Sequence, residues 1–334
     1  MPVMLGQSKA FIFARDQLQR YAACDVQVLI EGETGTGKEL AAREIHYASG
    51  RRERPFVPVN CGAIPDNLVE NELFGHERGA YTDANCAKPG LIDHARGGTL
   101  FLDEVDALSS KAQVTLLRFL EDNEYRPVGA GATRVSTARI IAATNSCLEE
   151  RVAEGHFRRD LQYRLNALHV RLPPLRERSG DVALLAEHFI ALVAKRLDGS
   201  VKCWGRDVLR ALAAHAWPGN VRELENVVLR AYMRTDGAII GLADLAAAEP
   251  AFSAFDTDAG SCPVYAEPGF IEASGFIEAK NHAIHVFEYS YLLRLMRRAS
   301  GNITAAALLS GTERRQLGKL LKKHGIESKP FRCQ

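Results

Sequence analysis

The sequence has no CxxC pair. Its seven cysteines lie scattered at 24, 61, 86, 147, 203, 262 and 333. Neither a disulfide framework nor a zinc site follows from that spacing, and a reducing, cytoplasmic setting is the expectation. No apolar run approaches the roughly 20 residues that span a bilayer. The N-terminus lacks the charged and apolar regions of a signal peptide. Neither sign of charge is in excess, with 42 Lys and Arg against 41 Asp and Glu, so no global field points to nucleic acid or membrane. Internal repeats and low-complexity tracts are also missing. What is present is ordinary globular material: 46% hydrophobic and 25% charged over 334 residues. That is enough for two domains, or three if one is small.

The overall neutrality hides local asymmetry. Residues 286–334 hold ten Lys and Arg against three Asp and Glu, whereas residues 246–279 hold six acids and no Lys or Arg. The acidic stretch also carries Pro250, Pro263 and Pro268 and shows no apolar periodicity. It reads as a solvated linker. The expected organisation is an α/β subdomain over 1–172, an all-α subdomain over 173–245, a linker over 246–285 and a small basic all-α domain over 286–334. Within the body, Val26–Glu31, Phe56–Asn60, Thr99–Leu102 and Arg139–Ala143 read as strands. Helical patterns such as Lys38–Ala48 and Lys111–Asp122 alternate with them, which implies a parallel sheet covered on both faces. From about 175 the pattern turns to helices only: Asp181–Leu197, Arg206–Ala213 and Asn220–Arg234.

Between the first strand and its helix stands Gly32, Glu33, Thr34, Gly35, Thr36, Gly37, Lys38, Glu39. This fits G-x-x-x-x-G-K, a loop whose backbone N–H groups converge on phosphate oxygens while the lysine reaches the β- and γ-phosphates. Glu39 occupies the place where a hydroxyl ordinarily touches Mg²⁺. A second acidic site follows the apolar run Gly97–Leu102, which ends in Asp103 and Glu104. A carboxylate at a strand tip beside a phosphate loop suits Mg²⁺ held through water, here Asp103. The next carboxylate, Glu104, suits polarisation of the attacking water. ATP and Mg²⁺ are the implied cofactors.

Taken together these stretches resemble the AAA+ domain of sigma-54-dependent transcriptional activators, the bacterial enhancer-binding proteins, followed by a Fis-type helix-turn-helix. The resemblance rests on GETGTGKE at 32–39, FVPVNCGAI at 56–64, ELFGHERGAYTDA at 72–84, GGTLFLDEV at 97–105, AATN at 142–145, FRRDLQYRL at 157–165, LPPLRER at 172–178 and WPGNVRELENVV at 217–228. It covers residues 5–245 and 286–326. It implies an AAA+ P-loop sheet flanked by helices, a helical lid, and roles for further residues. Asn60 resembles the polar switch that holds the Walker B glutamate. Asn145 resembles sensor I, and Arg222 sensor II. Arg158 and Arg164 match arginine fingers, which act across a subunit boundary. A ring, a hexamer assembled from dimers, is therefore implied.

Gly79, Ala80, Tyr81, Thr82, Asp83 and Ala84 stand where the family has GAFTGA, the loop that touches the sigma factor. Tyr81 keeps the aromatic ring. Asp83 replaces a glycine and adds a charge. In the tail, Gly301-Asn302 breaks the chain before Ile303–Leu309, and Thr312 is positioned to cap a helix running to His324. On that last helix Arg314, Arg315, Gln316, Lys319, Lys322 and Lys323 form a polar, cationic side suited to phosphates and base edges. The function implied is ATP-driven activation of sigma-54 RNA polymerase holoenzyme from enhancer DNA. The runner-up is a DNA-binding AAA+ regulator with altered or no sigma-54 remodelling, owing to Asp83. A general AAA+ remodelling motor is a third reading; it needs neither Tyr81 in such a loop nor the basic tail. With few residues before Phe11, control by a regulatory protein in trans is the expectation.

Overall fold

The computed structural model describes residues 4–81, 86–252 and, toward the C-terminus, 292–323 apart from 293–294, 297–298, 300–301, 311 and 313. The chain divides into two units, Met1–Cys262 and Pro263–Gln334.

Five strands carry the first unit: β1 (Val28–Glu31), β2 (Phe56–Asn60), β3 (Thr99–Asp103), β4 (Arg139–Thr144) and β5 (Leu168–Arg171). Their order is β2-β3-β4-β1-β5, and every pair is parallel. β4 is buried at all of its positions, as a central strand with both faces covered requires. Alternation splits each strand between two cores. Leu29, Leu100, Leu102, Ile140 and Ala142 face one layer, with Leu116, Phe119 and Leu120 of helix α3 (Ser110–Asp122). Val28, Ile30, Phe101 and Ile141 face the other. There they meet Phe11 and Leu18 of α1 (Lys9–Ala22) and Ile45 of α2 (Lys38–Ala48). Fully burying a side chain of this size contributes about 1.5–3 kcal/mol. The first strand begins at Val28 rather than at Val26, which is 44% exposed. The edge strand β5 escapes a reading from sequence because its four residues, LHVR, alternate apolar and polar too briefly to register.

Serines start two of these helices. Ser8 Oγ accepts from Phe11 N at 3.4 Å, and Ser109 Oγ accepts from Ala112 N at 3.3 Å. Each satisfies an otherwise unpaired first-turn N–H.

The helical lid follows the sheet subdomain, whose last helix is α4 (Arg159–Leu165), just before β5. It comprises α5 (Asp181–Arg196), α6 (Arg206–Ala214), α7 (Asn220–Arg234) and α8 (Leu242–Ala248). Their shared core centres on Trp217, fully buried, whose Nε1 donates to Leu212 O at 2.8 Å. Ala248 and Phe252 belong to the same core. The expected linker boundary at 246 therefore needs correction: the lid extends to Phe252, because that ring packs beside Trp217 with centroids 5.9 Å apart. The remainder of the expected linker, 253–285, lies outside the described residues.

Asp181 ties the lid to the N-terminal segment. Its Oδ1 accepts from Gln7 N (2.6 Å) and Ser8 N (3.0 Å), and its Oδ2 accepts from Ser8 Oγ and Arg178 Nε, both at 2.9 Å. Arg178 also donates to Leu5 O at 2.6 Å and lies over the Phe11 ring, 4.2 Å from its centroid.

In the second unit, α9 (Ile303–Ser310) and α10 (Arg314–Lys323) pack Ala306, Ala307, Leu317 and Leu321 against Leu292, Leu295 and Met296. Asn302 Oδ1 accepts from Thr304 N at 3.0 Å, so the break read at 301–302 is a helix cap. Thr312 does not cap as expected. Its hydroxyl pairs with Ser310 Oγ at 2.6 Å, and α10 begins at Arg314. Most of the expected helix Glu288–Ala299 lies outside the described residues. Among those described, no helix is long and apolar enough to cross a membrane.

Candidate active site

β1 delivers the chain into the Gly32–Gly37 turn, and Gly37 is the N-cap of α2. Gly35 (φ 80°) and Gly37 (φ 98°) both take left-handed backbone, which only glycine adopts without strain. Gly35 is required twice over, since a Cβ there would sit 2.3 Å from the Gly219 carbonyl of the lid. The turn and the helix N-terminus together make an anion cradle.

Lys38 emerges from the first turn of α2 and lies buried. Its Nζ donates to Gly32 O at 2.7 Å, Glu33 O at 3.1 Å and Asn145 Oδ1 at 2.5 Å. Burial lowers its pKa, while the charges of Asp103, Asp106 and Glu104 oppose that shift. Asn145 extends the link, donating from Nδ2 to Glu104 Oε1 at 3.3 Å. β4 and β3 are neighbours, so the turn after one naturally meets the turn after the other.

Glu104 stands in left-handed backbone (φ 56°, ψ 46°). Such a conformation costs a non-glycine residue on the order of 1–3 kcal/mol and clusters at functional sites. It turns the chain sharply off β3, with Glu104 N donating to Asp103 Oδ1 at 3.0 Å. Burial raises the Asp103 pKa, and Lys38 pulls it back. A partly buried carboxylate beside a second one, at the mouth of a phosphate cradle, fits a divalent cation held through oxygen. Asp103 is the residue that would hold it.

Asn60 does not bond Glu104 here. Its Oδ1 accepts from Ala63 N at 3.2 Å and caps the turn after β2. The two side chains flank Gly62, where a Cβ would lie 3.1 Å from Glu104 Oε2 and 3.3 Å from Asn60 Oδ1. Glu39 turns outward to Arg43, with Nη2–Oε1 at 2.8 Å. Thr36 Oγ1 donates to Glu33 O at 2.8 Å and braces the loop.

The lid closes over the other side of the loop. Arg176 makes two bonds to the Glu33 carboxylate, at 2.8 and 2.6 Å. Asn220, in left-handed backbone at φ 54°, donates from Nδ2 to Glu33 Oε2 (3.1 Å) and Thr34 O (3.0 Å) while its Oδ1 accepts from Leu175 N (2.7 Å). Val221 N donates to Gly35 O at 3.0 Å. Hydrogen bonds from Arg176, then Asn220, hold the Glu33 carboxyl down at about 2. The Glu33 side chain thus serves the lid rather than phosphate. Arg222 lies directly above: a Cβ at Gly35 would be 3.2 Å from Arg222 Cβ, and the Arg222 charge reaches Lys38.

The two finger candidates diverge. Arg158 lies on the surface, paired to Asp160 with Nη2–Oδ2 at 2.6 Å. Arg164 is bound to its own subunit, donating to Leu120 O and Glu121 O at 2.7 Å each, where it caps the end of α3. Neither reaches the Lys38 site within one chain.

The loop carrying Gly79, Ala80 and Tyr81 leaves from a short antiparallel pair, Gly75–His76 with Lys88–Pro89. Its base is pinned by Glu77 N to Val128 O at 3.0 Å and by Arg134 to Glu77 at 2.7 Å. Tyr81 is 44% exposed, with its ring 5.1 Å from that of His76. Thr82, Asp83 and Ala84 lie outside the described residues. On α10, Arg314, Arg315, Gln316, Lys319 and Lys322 are exposed opposite the buried Leu317 and Leu321. The Lys323 side chain lies outside the described residues.

Asp106, Arg176 and Asn220 escape a reading from sequence. Asp106 accepts from Asn145 N at 3.3 Å and Ser146 Oγ at 3.0 Å, fixing the turn that carries Asn145. Its place three residues beyond Asp103 is the one signal the sequence offers. Arg176 and Asn220 lie within the quoted stretches at 172–178 and 217–228, but their contact with Glu33, more than 140 positions away, has no signal there.

A family model described as the Sigma-54 interaction domain matches residues 4–171, and one described as the AAA+ ATPase lid domain matches residues 176–254. The transcriptional regulatory protein GlrR of Escherichia coli is 39% identical over 317 residues, 95% of this chain and 67% of its own length. The regulatory protein AtoC of Escherichia coli is 39% identical over 326 residues, 97% of this chain and 68% of its own. Crystal structures of NtrX from Brucella abortus in complex with ADP and with ATP are 34% identical, with a TM-score of 0.68; the ADP complex covers 97% of this chain and 69% of that one.

Proposed function

From the premise that this chain belongs to the Sigma-54 interaction domain family of AAA+ ATPases, we propose that it activates transcription by sigma-54 RNA polymerase, hydrolysing ATP to convert closed promoter complexes to open ones. In this reading the Gly32–Gly37 backbone cradles the phosphates and Lys38 neutralises the terminal ones. Nucleotide binding draws Lys38 away from the Gly32 and Glu33 carbonyls that hold it now. Glu104 accepts a proton from the attacking water, oriented by Asn145. Asp103 would hold Mg²⁺, which when bound would supply charge neutralisation to the phosphates. Asn60, across Gly62, is placed to take over Glu104 when Asn145 turns to the nucleotide.

Ring assembly, as a hexamer, brings Arg158 of one protomer to the nucleotide of the next, where a guanidinium stabilises developing charge. Arg158 is the better placed of the two fingers, because its partner Asp160 is itself exposed, whereas Arg164 is tied to the backbone at the end of α3. Arg222 and the Glu33 contacts transmit nucleotide state to the lid. Tyr81 meets the sigma factor. The basic side of α10 binds enhancer DNA, and oligomerisation multiplies its modest single-domain affinity.

The observation that carries this reading is an exposed aromatic, Tyr81, on a loop anchored to the ATPase body, within a domain that matches the sigma-54 family. The test is in vitro transcription from a sigma-54 promoter with wild type, Glu104→Gln and Asp83→Gly. Open-complex formation lost in Glu104→Gln supports the reading. Wild-type protein that hydrolyses ATP yet opens no promoter, while Asp83→Gly does, moves the function to a regulator without remodelling.

A further inference from the structure

At the strand that enters the phosphate cradle, three segments bring together side chains of another chemistry. Ligand atoms of Glu31, Cys147 and Glu149 all lie within 4.8 Å of one another. Cys147 Sγ is 3.2 Å from Glu149 Oε2, and His169, outside that mutual group, adjoins it through Glu31, with Nε2 3.4 Å from Glu31 Oε2. Ligands held tetrahedrally at zinc distances stand roughly 3.3–3.8 Å apart, so both edges are already close to that scale.

Sheet register produces this meeting. Glu31 pairs with Thr144 on one side and Arg171 on the other. Cys147 lies three residues beyond Thr144, in the turn after β4. His169 lies two residues before Arg171, so it shares the face of Glu31. The electrostatics are also incomplete. Two carboxylates converge, yet among the described residues neither has a Lys or Arg ion pair; Glu31 has only His169. The Glu31 side chain is 17% exposed and that of His169 41%, so the cluster is partly desolvated but open to solvent.

We propose that Glu31, Cys147, Glu149 and His169 form a binding site for a transition-metal ion of the zinc class. One thiolate, one imidazole and two carboxylates select a borderline-soft ion, whereas Mg²⁺ prefers oxygen alone and has its own place at Asp103. On binding, the Cys147 thiol releases its proton to solvent, so affinity rises with pH. The ion bridges the strand that enters the phosphate loop and the turn two residues beyond Asn145.

The test is a Co²⁺ titration of the purified full chain, under reducing conditions and with Mg·ADP filling the nucleotide site. The expected result is a thiolate-to-cobalt charge-transfer absorption that saturates at one ion per chain and is bleached by Zn²⁺. Cys147→Ser abolishes the band while retaining wild-type ADP affinity, which checks its fold. Cys203→Ser, an exposed cysteine elsewhere, keeps it. His169→Gln and Glu149→Gln weaken Co²⁺ binding about tenfold or more, the scale at which even outer-shell partners act. No band in the wild type, a band that survives Cys147→Ser, or unchanged affinity in His169→Gln overturns the proposal.

Discussion

Lys38, at the start of α2, and Glu104, just past the end of β3, are joined through one amide: Asn145 accepts from Lys38 Nζ at 2.5 Å and donates to Glu104 Oε1 at 3.3 Å. The cation that meets phosphate and the carboxylate that meets water are thereby held in one geometry. Replacing Asn145 by Ala removes both bonds. The expected loss is about 10²–10³ in kcat, the scale for a preorganised donor, with nucleotide affinity changed far less. Steady-state ATPase kinetics beside ADP binding check it. Equal losses in both would count against a role in orientation.

Glu104→Gln keeps the shape of the side chain and removes the base. ATP hydrolysis is expected to fall by about 10²–10⁴, the usual contribution of a positioned base. ATP binding persists, since Lys38 and the glycine turn are untouched. A variant that hydrolyses at the wild-type rate would take Glu104 out of the mechanism.

The Glu33–Arg176 pair couples lid to loop and gives a pH signature. Glu33 has a carboxyl lowered from 4.5 to about 2 in the folded state. A depressed folded pKa means its stabilisation is present above 4.5 and lost as pH falls toward 2. Both side chains are more than a third exposed, so solvent screening keeps the contribution small. Glu33→Gln is therefore expected to melt slightly below wild type at pH 7, with the gap closing in acid. Thermal melts across pH 7 to pH 3 measure it.

Asp181 and Arg178 form a pair almost fully out of solvent, with side chains 0% and 4% exposed. Truncating Asp181 to Ala leaves a buried guanidinium and unpaired N–H groups at Gln7 and Ser8. Removing one partner of such a pair costs about 3–5 kcal/mol. Chemical denaturation of the variant, with a lowered midpoint, is the expected readout. A cost near zero would show that water readily replaces the carboxylate.

On α10, Lys319→Ala and Lys322→Ala each remove one exposed cation without touching the buried Leu317 and Leu321. DNA affinity is expected to weaken on all sequences alike. The slope of log affinity against log salt falls by about 0.9 for each phosphate that is no longer neutralised. Fluorescence anisotropy over a salt series reads both effects. An unchanged slope would place those lysines away from the backbone.

Much was legible in the chain itself because it depends on neighbours in sequence. The glycine turn before Lys38, the acids ending β3 and the apolar strands are local patterns. The central strand β4 reads as wholly apolar because both its faces are covered. The basic helix in the tail separates its leucines from its lysines at helical spacing. Tertiary structure decided the rest. Nothing in the sequence around Glu33 announces Arg176 or Asn220, which meet it only because the lid folds back over the loop. Cysteine spacing suggests no metal site, yet parallel pairing sets Cys147 near Glu31, more than 110 residues earlier. Arg164 looks identical in character to Arg158 until the end of α3 claims its donors. Periodicity and motif report what one segment can do alone, whereas a bond between segments exists only once hydrophobic burial has chosen their register.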